Sequence, residues 1–326
     1  MNISSIILAA GQGTRMKSMQ PKVLHQICGY PMVHYAIEAV SGFGEDAPVV
    51  VIGHGADTVR SVIGDAARFV IQEQQLGTAH AVQTAEKTLK GKSGLVIVIS
   101  ADMPLLTAET LERMVSIQLK NSGPMTMLII DSPNPRGFGR VIRDNAGHIR
   151  AIVEETQATP EQLSIKELNV GAYIFRADWL WQALRKVQKS PKGEFYLTDT
   201  VEIANIENQK IESLTLLDPN EAIGVNTRVH LSEAEKAMRH RINTAWMLAG
   251  VTMMDPEASY IEPYVQIGRD TVIFPNSWLR GKSVIGEACE IGPSVVIEDC
   301  TIGNGCRVRN LDIKGRVMGD GQQTCG

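Results

Sequence analysis

Residues able to handle phosphate gather near the start of the chain, where SSIILAAGQGTRM runs from Ser4 to Met16 and PKVLH follows at Pro21 to His25. Ile6, Ile7 and Leu8 read as a buried strand that ends in the small residues Ala9, Ala10, Gly11 and Gly13. A turn of this kind at the carboxyl end of a parallel strand offers unpaired backbone N–H groups to an anion, and its glycines let a ligand approach where a Cβ would repel it. Arg15 and Lys22 add two positive charges within reach. The third glycine of a G-x-G-x-x-G fingerprint is replaced by Met16, and the Gly-Lys-Ser triplets at Gly91 and Gly281 lack the upstream glycine of a P-loop. Loop chemistry alone favours phosphate binding over a structural strand-to-helix turn; the partial fingerprint is weak evidence for a dinucleotide site, and no P-loop is present.

Oxygen donors for a cation come next. Asp102 follows the apolar run Leu95–Ile99, and Asn226 lies in a similar small turn, GVNTR. An Asp before Met-Pro by itself more often marks a turn or cap. Its position past a strand end, with Asn226 as a second oxygen, suits Mg²⁺, which takes few protein oxygens and completes its shell with water and phosphate. No Ser-His-Asp set or nucleophilic Cys is needed for such chemistry, and His25 and His80 read as hydrogen-bonded structural residues.

The elements that must position these groups alternate. Strand patterns at Ile6–Ala9, Pro48–Ile52, Arg68–Gln72, Leu95–Ser100, Met125–Ile130, Arg140–Arg143, Ile149–Val153, Asn169–Phe175 and Ile211–Leu216 are separated by helical patterns such as Met32–Val40, Thr78–Leu89, Ala108–Leu119 and Trp179–Val187. This is α/β punctuation. It predicts a Rossmann-like, mainly parallel sheet covered on both faces, with the ligand crevice at the carboxyl ends of its strands. The closely spaced runs from Met125 to Val153 predict a hairpin-rich insertion and hence a mixed sheet.

At 326 residues the chain has room for two domains, and a charged fraction of 21% is ordinary for a globular protein. A net charge of −4 argues against nucleic-acid binding. The N-terminus runs directly into a strand pattern without a basic stretch, and no apolar run approaches the roughly 20 residues of a membrane span, so a cytoplasmic protein is expected. The five cysteines form no C-x-x-C pair, which predicts reduced thiols.

LAAGQGTRM with PKVLH resembles the signature of the sugar-1-phosphate nucleotidyltransferases. The detailed likeness is to the uridylyltransferase half of the bacterial bifunctional N-acetylglucosamine-1-phosphate uridylyltransferase / glucosamine-1-phosphate acetyltransferases. QQLGTAHA (Gln74 to Ala81), ADMPL (Ala101 to Leu105), GFGRV (Gly137 to Val141), ELNVG (Glu167 to Gly171) and GVNTR (Gly224 to Arg228) match in the same order. The resemblance implies roles. Ala10, Gly11, Gly13, Gln72, Gly77 and Thr78 would hold the nucleotide, and Gly139, Glu154 and Asn169 the sugar. Asp102 and Asn226 would hold Mg²⁺, with Arg15 and Lys22 as the catalytic cations. Two positions depart from the family pattern: Ala101 stands where a glycine is usual, bringing a methyl expected to approach the ligand, and Thr156 stands where a lysine is usual.

Leu231, Ala234, Met238, Ile242, Ala245 and Ala249 recur at helical steps before Gly250, which predicts one long helix joining two domains. Beyond it Ile261, Ile267, Ile273, Leu279, Ile285, Ile291 and Ile297 fall at six-residue intervals, and Ile302 and Val308 resume the step after a one-residue deletion. Small residues stand two positions earlier, among them Cys289, Cys300 and Cys306, which read as core residues. This is the hexapeptide signature of a parallel β-helix. The resemblance implies that it is left-handed and forms a homotrimer. The pattern is expected to dissolve in RNLDIKGRVMGDGQQTCG, short of the coils and tail that carry acetyl transfer in the bifunctional family, so no acetyltransferase activity is expected. The expected organisation is a nucleotidyltransferase domain over 1–226, a connecting helix over 227–250 and a short β-helix over 251–326.

These readings converge on Mg²⁺-assisted transfer of UMP from UTP to N-acetylglucosamine 1-phosphate, a step that supplies cell-wall peptidoglycan precursors. The alternatives are the same transfer with another hexose 1-phosphate or dTTP, or a non-catalytic scaffold subunit.

Overall fold

The computed structural model describes residues 2–326. Contacts divide the chain into two compact units, one of residues 1–25 with 31–230 and one of residues 26–30 with 231–326.

In the first unit, nine strands among the described residues form one mixed sheet. Ile3–Leu8 lies between Val49–Ile52 and Leu95–Ser100, parallel to both, and Arg68–Ile71 extends the parallel part beyond Val49–Ile52. Glu167–Arg176 then runs antiparallel to both Leu95–Ser100 and Met125–Asp131, and Ile211–Thr215 closes the far edge. The hairpin of Arg140–Arg143 and Ile149–Val153 hangs from Glu167–Arg176, which is the predicted insertion. Successive strand residues point to opposite faces, so Ile7, Val50 and Ile97 belong to one buried cluster while Ile6, Val49 and Val96 belong to another. Helices Met32–Val40 and Ala108–Lys120 contribute to the first cluster, and Thr78–Thr84 and Ala177–Leu184 to the second. The single helix expected over Thr78–Leu89 is two, Thr78–Thr84 and Glu86–Leu89, meeting at the buried Ala85.

In the second unit the short strands stack into three parallel sheets, the faces of a β-helix. The predicted inward residues Ile261 to Val308 are all buried, and so are the small residues before them. The thiols of Cys289, Cys300 and Cys306 sit in this core and donate to the carbonyl oxygens of Gly303, Glu298 and Gly319 at 3.1, 3.2 and 3.0 Å. The helix Arg228–Leu248 brings Ile242, Trp246 and Met247 against the same core. The coil continues past Asn310 although the hexapeptide pattern does not: Ile313 and Met318 are buried, and Asp312–Lys314, Val317–Met318 and Gln323–Cys325 each pair with the coil before. The hexapeptide step is lost because the coil shortens. Ile267 pairs with Ile285, Ile285 with Ile302 and Ile302 with Met318, which makes successive coils of 18, 17 and 16 residues.

Among the described residues no helix is long and apolar enough to cross a membrane.

Candidate functional site

Three parallel strands, Ile3–Leu8, Leu95–Ser100 and Arg68–Ile71, the last set off from the first by Val49–Ile52, deliver their carboxyl ends to one edge of the sheet. The ladder continues past each: the Ala9 N–H donates to the Val51 carbonyl, Ala101 to Leu8 and Gln72 to Ile52, at 2.9, 3.0 and 2.8 Å. The loop after Leu8, the side chain of Gln72 and the turn at Asp102 therefore open onto the same cavity, of about 710 Å³. A volume of that size suits a small-molecule ligand.

Gly11 and Gly13 serve this loop differently. A Cβ on Gly11 would meet no protein atom, so its backbone faces open space, whereas Gly13 has φ +63° and a Cβ there would lie 2.6 Å from the Cβ of Lys22. Glycine at 13 thus lets Lys22 pack against the loop and reach across it. The Lys22 ammonium lies 2.5 Å from Asp102 Oδ2 and 3.1 Å from Asn226 Oδ1. Arg15 Nη2 donates to that same Asn226 oxygen at 3.0 Å. The turn holding Asn226 is tied to the strand end by Val225 N–H, which donates to the Asp102 carbonyl at 2.8 Å. Burial pushes the Asp102 carboxyl up, yet the charge and hydrogen bond of Lys22, with help from Ser100 and its own backbone, hold it below the usual carboxylate range. It stays ionised.

On one side of the cavity, Gln72 is buried and its amide contacts Gly77 and His80. Gly77 has φ +102°, and a Cβ there would strike the Phe195 backbone at 2.5 Å, so the fold requires glycine whatever ligand binds. Thr78 Oγ1 accepts from the Leu197 N–H at 2.9 Å, which draws the segment Phe195–Thr198 into the wall. On the other side, Asn169 lies in a strand whose register breaks between it and Tyr173, and the two side chains bond to one another at 2.7 Å. Glu154 Oε1 accepts from Thr198 Oγ1 at 3.2 Å, and burial pushes its carboxyl up, aided by Glu194.

Thus Ala10, Gly11, Gly13, Lys22, Gln72, Gly77, Thr78, Asp102, Glu154, Asn169 and Asn226 all line the one cavity. Arg15 is outside the lining and joins it through Asn226, while Gly139 contributes its carbonyl, which accepts the Asn169 N–H at 2.9 Å. The two departures resolve differently. Ala101 is fully buried in the core and does not line the cavity, unlike its neighbours Ser100 and Asp102. Thr156 accepts a hydrogen bond of 2.7 Å from Lys192 Nζ, so an ammonium does stand there, carried by a segment 36 residues onward. Sequence reasoning missed Tyr173, Glu194, Tyr196 and Thr198, which also line the cavity. The signal available was GEFYLTD, a polar and aromatic run with no hydrophobic period.

Among the described residues no group of three or more His, Cys, Asp and Glu is placed to cage a metal. The Asp102 carboxylate and the Asn226 carbonyl converge on the one ammonium of Lys22 instead. Two hard oxygens that already meet at a cation fit a divalent ion completed by phosphate and water.

A strand-end cavity with that pair of oxygens, in a chain that also carries a β-helix, is the arrangement expected of a sugar-1-phosphate nucleotidyltransferase. Comparison with known proteins agrees: residues 4–222 match the model of the family described as "Nucleotidyl transferase". The Bifunctional protein GlmU of Halalkalibacterium halodurans is 43% identical over 98% of this chain and 70% of its own length. Those of a Geobacillus species and of Caldanaerobacter subterraneus are 45% and 46% identical, over 94% and 93% of this chain and 67% and 66% of their own lengths. The chain belongs to the nucleotidyl transferase family, in its GlmU branch.

Proposed function

We propose that this chain transfers UMP from UTP to N-acetylglucosamine 1-phosphate, releasing pyrophosphate and UDP-N-acetylglucosamine. The observation that carries the reading is the meeting of Lys22, Asp102, Asn226 and Arg15 beside the loop Ala10–Gly13. A sugar phosphate oxygen is already nucleophilic at neutral pH, so the chain needs no general base and forms no covalent intermediate. Its task is to align that oxygen with the α-phosphorus and to meet the charge that develops opposite.

Gln72, Gly77 and Thr78 hold the base, and the backbone of Ala10–Gly13 cradles the phosphates. Glu154 and Asn169 accept from and donate to the sugar hydroxyls and acetamide, while Gly139 braces Asn169. Lys22 exchanges its carboxylate partner for the α-phosphate and stabilises the transition state, and Arg15 steadies the departing pyrophosphate. Asp102 and Asn226 would hold Mg²⁺, which supplies Lewis-acid neutralisation of the phosphate charge. No acetyl transfer is assigned to these residues. Assembly as a homotrimer through the β-helix, in the cytoplasm, completes the reading.

The test is pyrophosphate release with Mg²⁺, crossing UTP and dTTP with the 1-phosphates of N-acetylglucosamine, glucosamine and glucose. The expected leader is UTP with the acetylated sugar. Preference for another pair would overturn the substrate assignment, and silence with all of them would overturn catalysis by this chain.

A further inference from the structure

We infer that His80 is a positioning residue that, with the Gly77 carbonyl, locks the Gln72 amide in the orientation that selects uracil over cytosine; the inference rests on the proposed contact between Gln72 and the base. The Gln72 side chain is only 3% exposed, so its hydrogen bonds must come from the protein or from a ligand. Its Nε2 lies 3.1 Å from the Gly77 carbonyl oxygen and 3.0 Å from His80 Nδ1.

The two ends of an amide are alike in shape, but here chemistry distinguishes them. A carbonyl oxygen only accepts, so the –NH₂ end must face Gly77; the reverse placement would set two acceptors against each other. With that end fixed, the second hydrogen of the same –NH₂ points at His80 Nδ1, which can take it only through a lone pair. His80 is therefore neutral, with its proton on Nε2. Further bonds steady the residue from behind: the Gln72 N–H donates to Ile52 and its carbonyl accepts from Gln75 Nε2 at 3.2 Å. Both amide hydrogens are then taken, and no protein donor among the described residues bonds to Oε1. The group left for a ligand in the cavity that Gln72 lines is an acceptor.

A fixed acceptor recognises an N–H on the base edge. Uracil and thymine offer N3–H there, whereas cytosine offers a lone pair that repels it. His80 thus reinforces, without touching the nucleotide, the orientation that the Gly77 carbonyl imposes and with it the choice between pyrimidines; it does not separate UTP from dTTP.

The experiment compares kcat/KM for UTP and CTP in the full chain and in His80→Ala, His80→Asn and Gln72→Leu. Without His80 only Gly77 restrains the amide, so His80→Ala is expected to lower the UTP/CTP ratio roughly tenfold. His80→Asn, whose Oδ1 can accept in place of Nδ1, is expected to keep the ratio. An unchanged ratio in His80→Ala, an equal loss on both nucleotides, or a ratio in His80→Asn as low as in His80→Ala would overturn the inference. Gln72→Leu separates the two readings: if it leaves the ratio intact, Gln72 does not read the base, whereas a ratio altered there and intact in His80→Ala refutes His80 alone. Should His80→Ala not fold, the ¹⁵N shifts of the His80 ring in the intact protein decide, with an unprotonated Nδ1 expected and a protonated Nδ1 overturning the inference.

Discussion

Lys22 and Asp102 neutralise each other in the cavity wall, and in the proposed reaction substrate phosphates redistribute that pairing. The lysine charge is then needed most where phosphate charge peaks, so Lys22→Ala is expected to lower kcat by about 10²–10³ and to raise KM much less. Steady-state kinetics in both substrates checks this, and a pure KM effect would make Lys22 a ground-state binder. Asp102→Ala removes one of two oxygen donors while keeping the carbonyl that accepts from Val225, so the fold should survive and turnover should vanish. Substantial activity at saturating Mg²⁺, with an unchanged circular dichroism spectrum, would sink its metal role. Most of this cluster was legible in the sequence because charges and glycines stand out in short stretches. The Lys192–Thr156 bond was not, because it joins segments 36 residues apart that only the fold brings together.

Among the elements, the helix Asp199–Ile206 begins directly after Thr198, which bonds Glu154 in the cavity wall. Burial, then the charges of Glu202 and Glu154, push the Asp199 carboxyl up to about 6. A carboxyl whose pKa is raised on folding binds its proton more tightly in the native state, so its contribution to stability is present below its ordinary pKa of 3.8 and is lost as pH rises to about 6. Asp199→Asn should therefore be more stable than the parent at pH 7.5, by about 1 kcal/mol after discounting for solvent screening of a half-buried group, and level with it near pH 4. Thermal melts at the two pH values check this; the same difference at both would refute it. Strands were legible to within a few residues wherever an apolar run is cut by polar or small residues, as at Leu95–Ser100. The break at Ala85 was hidden, because alanine carries no helix-stopping signal and only tertiary packing places it. The wall at Phe195–Thr198 was hidden for a related reason: it is held by backbone pairing to Leu76 and Ala79, which leaves no periodicity to read.

At the scale of the molecule, the two units keep separate cores, two clusters flanking the sheet in one and the stacked aliphatic column from Val251 to Met318 in the other. The β-helix was the most legible part because each coil repeats one inward aliphatic residue per face, and it became illegible where coils shorten from 18 to 16 residues and the step changes. Separate cores should unfold separately. Calorimetry is expected to resolve two transitions, with UTP at about 100 times its Kd stabilising only the first unit, by about 2.7 kcal/mol. Ile285→Ala, which empties a fully packed position in the column, should destabilise only the other transition, by about 2–5 kcal/mol. If UTP and Ile285→Ala instead shift one common transition, the cores are coupled, and binding energy gained at the strand ends must reach the coils. Independent shifts would mean that the nucleotide site owes its stability to the α/β sheet alone, with the β-helix column folding on its own contacts.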